Sequence, residues 1–261
     1  MSLSGVALMS QRMIGLKREQ MVLRDMEAPS YSEEVDTPYQ EMVARYVISA
    51  QLRKRRCKLV LDAGGGVGVL TGPLLAEGYE VVVVDFSSVA LRINKERSRR
   101  YRSRLDLIRA DVCSLPFRDS TFDACLLISV LQFMEYESEA LSLSETRRIL
   151  NPKGTMYLSV YNYNLFRRIF RDRQGWHAAD YPRLRYTRFT YGVLRRALLR
   201  EFAIENVRGY ENFPFPRKIW DLAIRLLGVF PVLFDAKASL LFPASLLLSD
   251  NLLATARPRI D

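Results

Sequence analysis

The stretch from Leu59 to Leu70, which reads LVLDAGGGVGVL, limits the possible folds of this chain more than any other. It contains a short apolar run, an acid, a turn with four glycines and the beginning of a helix. A short apolar run before a glycine-rich break is typical of the first strand of a parallel α/β sheet. Glycine allows unusual backbone angles there and lets the backbone approach a ligand closely. By itself the stretch fits an ordinary tight turn between a strand and a helix equally well.

Further strands follow at regular intervals and alternate with helical segments. The next one, Val81–Val84, is uniformly β-branched, which indicates burial on both faces, and Asp85 ends it. This alternation predicts a doubly wound α/β fold, a seven-stranded and mostly parallel sheet whose last strand is antiparallel. The other predicted strands cover 105–109, 122–128, 155–161, 202–207 and 251–256.

Four residues that could contact a ligand lie at the ends of different predicted strands: Gly64, Asp85, Asp111 and Ser129. Ligands of doubly wound sheets bind in the crevice at the carboxyl ends of the strands. An acid about 20 residues beyond a glycine-rich turn is also at the spacing that reaches the hydroxyls of a bound ribose. The pattern therefore predicts one ligand site that is shared by four strand ends.

Other ligand classes fit this pattern less well. Gly64, Gly66 and Gly68 are two residues apart, which is tighter than the G-x-G-x-x-G of dinucleotide sites. The G-K-[ST] sequence of a P-loop is absent. A single histidine and three scattered cysteines give no ligand spacing for a metal, so we predict no metal site.

Residues 55–161 resemble the class I S-adenosylmethionine-dependent methyltransferases, in particular the type-11 group. Asp62–Gly68 is similar to the first motif of that family, D/E-x-G-x-G-x-G. Leu115-Pro116-Phe117 with Phe122-Asp123 resembles the approach to its fourth strand. Leu150–Gly154 resembles its L-x-P-G-G turn, although Lys153 replaces a glycine.

The resemblance implies a Rossmann-like methyltransferase fold and S-adenosylmethionine as methyl donor. It implies that the glycine motif binds the amino-acid end of the cofactor, that Asp85 holds the ribose, and that Asp111 with Val112 reads the adenine. Ser129 would contact the cofactor through its backbone. The full set of implied cofactor-binding residues is Asp62, Gly64, Gly66, Gly68, Asp85, Phe86, Asp111, Val112 and Ser129.

The sequence shows no strong catalytic motif. Positioning alone can supply roughly 7–11 kcal/mol of a displacement barrier, so a methyltransferase does not require one. The residues after the fourth strand, Ile128–Leu131, differ from the N-P-P-Y type of amino-methylating enzymes, and no Pro-Cys nucleophile is present. Tyr161 and His177 are the candidate catalytic residues. A histidine titrates near neutral pH, but a structural or surface role for His177 remains an alternative.

Two segments bear on the acceptor. Residues 162–190 interleave basic and aromatic side chains, which suits either stacking on RNA bases or a lid over a small substrate. The apolar helical insertion 212–248 suits a pocket wall, a homodimer face or a peripheral membrane contact. Our leading hypothesis is methyl transfer to a small or lipid-like hydrophobic acceptor. The alternatives are an RNA methyltransferase and a non-catalytic module that binds S-adenosylmethionine.

Composition and chain ends complete the expectations. The net charge of +10 favours anionic neighbours, and three cysteines without pairing are expected to be reduced core thiols of a soluble cytoplasmic protein. No apolar run reaches the roughly 18 residues of a membrane span. We expect a frayed or loosely docked arm at 1–30 and a helix that begins at Thr37. The predicted division is an arm and helix at 1–54 and a methyltransferase domain at 55–261.

Overall fold

The computed structural model of this chain describes residues 3–34, 47–165, 187–210, 222, 225–227, 246 and 249–259. Four predictions lie wholly or mostly outside these ranges. They concern the helix start at Thr37, His177, the lid segment 162–190 and the apolar insertion 212–248.

The core of the molecule is a seven-stranded sheet in the order β3-β2-β1-β4-β5-β7-β6. Strands β1 to β5 are parallel, and β7 is antiparallel to both of its neighbours. The doubly wound, mostly parallel sheet predicted from the sequence is therefore confirmed. The strands are β1 Leu59–Ala63, β2 Glu80–Asp85, β3 Leu105–Arg109, β4 Phe122–Ile128, β5 Leu150–Tyr161, β6 Phe202–Tyr210 and β7 Asn251–Pro258.

The turn predicted at 151–154 lies inside β5 as an irregularity in its pairing with β4. Phe122 pairs with Leu150, whereas Ala124 pairs with Thr155, so extra residues of β5 stand opposite a single residue of β4. Beyond this bulge the register is regular to Ile128 and Ser159. The ends of β4 and β5 are thereby aligned at the edge of the sheet that carries the glycine turn.

Six described α-helices connect or flank the strands. Two of them begin with a polar cap: Ser87 Oγ accepts a hydrogen bond from Ala90 N at 3.0 Å, and Thr190 Oγ1 accepts one from Val193 N at 3.3 Å. The helices are α1 Leu3–Glu34, α2 Ala50–Lys54, α3 Thr71–Ala76, α4 Ser88–Arg97, α5 Tyr136–Ile149 and α6 Tyr191–Leu198.

The prediction of a frayed or loosely docked arm at residues 1–30 is wrong for the part of α1 whose side chains are described. Ala28 is buried and packs with Val67 and Ala90. Asp25 Oδ1 accepts hydrogen bonds from Ser87 Oγ at 2.6 Å and from Val89 N at 3.1 Å. The helix therefore lies against the loop after β1 and the first turn of α4.

Alternating residues of the strands supply two hydrophobic cores, one on each face of the sheet. Leu61, Val82 and Leu127 belong to one core, and Val60, Val81 and Leu126 to the other. All three cysteines are free, but only Cys125 is a core residue as expected, since Cys57 and Cys113 are partly buried. Within the described residues, the helices are all too short or too polar to cross a membrane.

Candidate functional site

The loop after β1 has a backbone that only glycine adopts readily. Gly64, Gly66 and Gly68 have φ angles of +74°, +50° and +89°. A Cβ atom on Gly64 would lie 2.5 Å from Val130 Cγ2, so that position has no room for a side chain. Around Gly66 the space is open, because the nearest atom to such a Cβ would be Asp85 Oδ2 at 3.8 Å. The loop therefore borders open space beside the end of β2.

Asp85 is held beside this open space by the backbone donors Gly66 N and Ser87 N. Its Oδ2 accepts a hydrogen bond from Gly66 N at 3.0 Å, and its Oδ1 accepts one from Ser87 N at 2.8 Å. Only 8% of the residue is exposed, and this burial raises the pKa of the carboxyl group above its ordinary value despite both bonds. A carboxylate offers about four acceptor positions, so these bonds leave acceptor capacity for a hydroxyl group of a ligand.

Asp62 has a different place, beneath the loop. It is 3% exposed, and its Oδ2 accepts a hydrogen bond from Thr71 Oγ1 at 2.8 Å. Burial, with a smaller contribution from the charge of Asp85, raises the pKa of Asp62 to about 6 despite the hydrogen bond from Thr71. The described contacts of this carboxylate thus connect β1 to the first turn of α3.

Asn94 is a residue of the site that the sequence reasoning missed. Its Nδ2 donates to Gly66 O and to Thr71 Oγ1, each at 3.2 Å, and its side chain is what a Cβ on Gly68 would meet at 2.5 Å. The residue is fully buried on the same face of α4 as Ala90 and Leu91. An amide within an apolar helical stripe was the signal that could have revealed it.

Asp111 follows β3 and is bound from both sides. Its Oδ1 accepts a hydrogen bond from Cys113 N at 2.9 Å, and its Oδ2 lies 2.6 Å from Lys17 Nζ of α1. Partial burial would raise the pKa of Asp111, but the bonds from Lys17 and Cys113 outweigh it and hold that pKa below its ordinary value. Val112, beside it, is buried in the hydrophobic core. Asp111 is therefore an anion at neutral pH with one helix already docked on it.

The ends of β4 and β5 form the next part of the same edge. Ser129 has a φ of +58°, which is uncommon for a residue other than glycine, and its N donates to Ser159 O at 3.0 Å. Tyr161 ends β5, and its ring lies edge-on to that of Phe133 with centroids 6.3 Å apart. The guanidinium carbon of Arg24, from α1, lies 4.0 Å from the centroid of the Phe133 ring.

The structure thus brings most of the predicted site residues to one edge of the sheet. The glycine loop follows β1, Asp85 is the last residue of β2, and Asp111 and Ser129 follow β3 and β4. Phe86 is next to Asp85 and contributes a carbonyl that accepts a hydrogen bond from Arg109 Nε at 3.2 Å. Asp62 lies under the loop, and His177 lies outside the described residues. The open space at Gly66 beside a carboxylate with free acceptor positions fits the ribose of S-adenosylmethionine.

The fold and this arrangement of strand ends resemble those of the class I S-adenosylmethionine-dependent methyltransferases. In agreement, residues 61–158 match the Methyltransf_11 family, which is described as a methyltransferase domain. The match extends from β1 to β5 and includes every residue of the predicted cofactor site.

Curated relatives match the same region. One is the demethylmenaquinone methyltransferase of Renibacterium salmoninarum, which is 32% identical over 107 residues, 41% of this chain and 43% of that protein. Another is the protein MJ0638 of Methanocaldococcus jannaschii, 33% identical over 135 residues, which are 50% of this chain and 55% of that one. The chain therefore spans about half the length of the curated relatives it matches.

Among solved structures, the 1,6-didemethyltoxoflavin-N1-methyltransferase of Burkholderia thailandensis resembles the chain over most of its length. Its TM-score is 0.60 at 21% identity, covering 94% of this chain and 90% of that one. That structure contains 1,6-didemethyltoxoflavin and S-adenosylhomocysteine. At this identity the likeness establishes the fold.

Proposed function

We propose that the chain is an S-adenosylmethionine-dependent methyltransferase that acts on a small or lipid-like hydrophobic acceptor. The cofactor assignment rests on the hydrogen bond from Gly66 N to Asp85 Oδ2 beside open space. This bond places a carboxylate with free acceptor positions next to a loop whose backbone can approach a ligand closely. Bound S-adenosylmethionine would supply a methyl group on a positively charged sulfur, ready for displacement.

The residues of the chain would bind and orient this cofactor. Asp85 would accept the hydroxyls of the ribose, and the glycine loop would leave room for the amino-acid end. Asp111 would accept the amino group of adenine through positions that Lys17 and Cys113 leave free. Orientation and exclusion of water are large contributions to such a displacement, which suits a site without a prominent base.

The acceptor would lie beyond Ser129, where Phe133 and Tyr161 form an aromatic wall. Such a surface favours flat or apolar molecules over highly hydrated ones. The name of the Renibacterium relative, a demethylmenaquinone methyltransferase, supports the same class of acceptor. We propose Tyr161 as a residue of the acceptor pocket, and His177 stays a candidate base. The comparisons lend no support to RNA as the acceptor, or to a membrane contact or a homodimer.

The cofactor part is tested by calorimetric titration of the full chain with S-adenosylhomocysteine. Asp85→Ala should abolish measurable binding, because it removes the proposed ribose acceptor and the partner of Gly66 N. Asp106→Ala, an exposed carboxylate on β3, is the matched control and should bind like the unaltered chain. Unchanged affinity in Asp85→Ala would refute the site.

The acceptor part is tested with methyl-labelled S-adenosylmethionine and cell extract, followed by separation of lipid, small-molecule, RNA and protein fractions. Label in the lipid or small-molecule fraction is expected. Label in RNA would overturn the proposed acceptor. Cofactor binding without label in any fraction would favour the non-catalytic alternative.

A further inference from the structure

A cleft of about 740 Å³ lies on the far part of the sheet from the glycine loop. Its walls come from α2, the beginning of β5 and the two strands β6 and β7. These segments meet near the amino ends of the parallel strands, whereas the cofactor residues follow the carboxyl ends. The cleft is within the size range of small-molecule sites, which is about 300–1,000 Å³.

The cleft carries a strong excess of positive charge. Its described lining includes five cations and one carboxylate, Glu205, so the charge of the lining is +4. The cations are Lys54, Arg55, Lys153, Arg208 and Arg257.

Glu205 neutralises only part of this charge. It forms an ion pair with Arg55 and a second one with Arg257, whose Nε lies 2.5 Å from its Oε1. Both arginines thus share one carboxylate. In the described part of the chain, Lys54, Lys153 and Arg208 have no carboxylate partner.

Arg208 differs from the two lysines because it is partly buried. It lies on β6 with its residue partly buried, opposite Leu253 of β7. Burial lowers the pKa of its guanidinium, which means that the charged form loses hydration without gaining an anion. A cation in this state gains more from an incoming anion than a fully hydrated one does.

We propose that this cleft is a second ligand site, which binds a small molecule with a di- or polyphosphate group. Arg55 and Arg257 are already aligned by Glu205, and Arg208, Lys54 and Lys153 surround the same cleft with unused donors. Planar guanidinium groups bind phosphate oxygens in pairs, and ammonium groups add point charges.

The composition of the lining favours a small ligand over a nucleic acid strand. Proteins that bind single strands combine a basic groove with aromatic side chains on which the bases stack. None of the described lining residues of the cleft is aromatic. The cleft therefore offers phosphate contacts without a platform for bases.

Calorimetric titration of the full chain with inorganic pyrophosphate and with ADP tests this site. Arg208→Gln and Lys153→Gln should each weaken binding, Arg208→Gln by at least about tenfold, since each removes a charge-assisted donor. Arg99→Gln removes an exposed arginine away from the cleft and should bind like the unaltered chain. Arg208→Lys should restore part of the affinity.

Each result supports or overturns the site. Similar affinity for pyrophosphate and ADP would assign recognition to the phosphates, and tighter ADP binding would add a nucleoside contact. No saturable binding, or equal losses in Arg208→Gln and Arg99→Gln, would overturn the proposal. Tighter binding of a short single-stranded RNA that Arg208→Gln abolishes would overturn the small-ligand class. Titration with S-adenosylhomocysteine in parallel should be unchanged in all four variants, which separates this site from the methyltransferase site.

Discussion

Asp62 and Asp85 lie on adjacent parallel strands, and burial raises the pKa of both carboxyl groups. The described hydrogen bond of Asp62 is an internal one, from Thr71 Oγ1. An acid with a raised pKa in the folded state binds protons that the unfolded chain has already released. The free energy of unfolding therefore falls as the pH rises through that window.

This gives the first prediction, for Asp62→Asn. The pKa of about 6 against an ordinary 3.8 places the window between about pH 4 and pH 6. From pH 4 to pH 7 the free energy of unfolding of Asp62→Asn should gain on that of the unaltered chain by up to about 3 kcal/mol, because asparagine does not ionise. Urea unfolding at both pH values measures the difference. A constant difference for Asp62→Asn would contradict the prediction.

The second prediction concerns the glycine loop. Gly64→Ala should lower the free energy of unfolding by at least about 2 kcal/mol, since it combines a left-handed backbone with overlap against Val130. Gly72→Ala is the matched control, because a Cβ there meets nothing within 4 Å and the position is helical. It should be neutral or stabilising by up to about 1 kcal/mol. Equal effects of both changes in thermal or urea unfolding would show that the overlap at Gly64 is relieved easily.

At the scale of elements, α1 connects the strand ends from outside the sheet. Asp25 bonds to the first turn of α4, Lys17 to Asp111, and Gln20 Nε2 donates to Phe133 O at 3.0 Å. Beside these polar contacts, Ala28 is buried against Val67 and Ala90, whereas Val22 and Met26 are exposed. The docking of α1 thus combines a few hydrogen bonds with a small apolar cluster.

The third prediction follows for Asp25→Ala. Amide hydrogen exchange in residues 17–32 should become faster, because the change removes the acceptor of both Ser87 Oγ and Val89 N. The midpoint of global unfolding should change little, since the sheet retains its two cores. Glu19→Ala, an exposed change on the same helix, should leave the exchange rates as they are. Unaltered exchange in Asp25→Ala would mean that apolar contacts such as those of Ala28 hold the helix.

At the scale of the whole molecule, the proposed cofactor site joins four strand ends, so a ligand bound there stabilises the sheet as a unit. Saturating ligand at about 100 times its dissociation constant adds about 2.7 kcal/mol to the free energy of unfolding.

The fourth prediction is a rise in melting temperature with S-adenosylhomocysteine of about 5 °C or more for a domain of this size. NADH at the same concentration should produce no rise, because the glycines of this loop are spaced more tightly than the G-x-G-x-x-G of dinucleotide sites. Asp85→Ala should show no rise with either compound. A rise with NADH of similar size would contradict the assignment of the cofactor.

Much of the fold could be read from local patterns. The apolar runs of β1, β2 and β4 and the spaced glycines each depend on a few neighbouring residues, and all are found where they were expected. The acids after β2 and β3 could be placed in the site too, because parallel strands bring their carboxyl ends to one edge.

Only the tertiary structure decided how these elements are joined and what else surrounds them. Helix α1 has almost no apolar periodicity, and its bond from Lys17 to Asp111 spans 94 residues, so no local pattern could announce its docking. The left-handed backbone of Ser129 and the cationic cleft around Arg208 likewise arise from neighbours distant in the chain. Local sequence determines where a strand or a turn forms, whereas burial and pairing of polar groups are set when distant segments pack together.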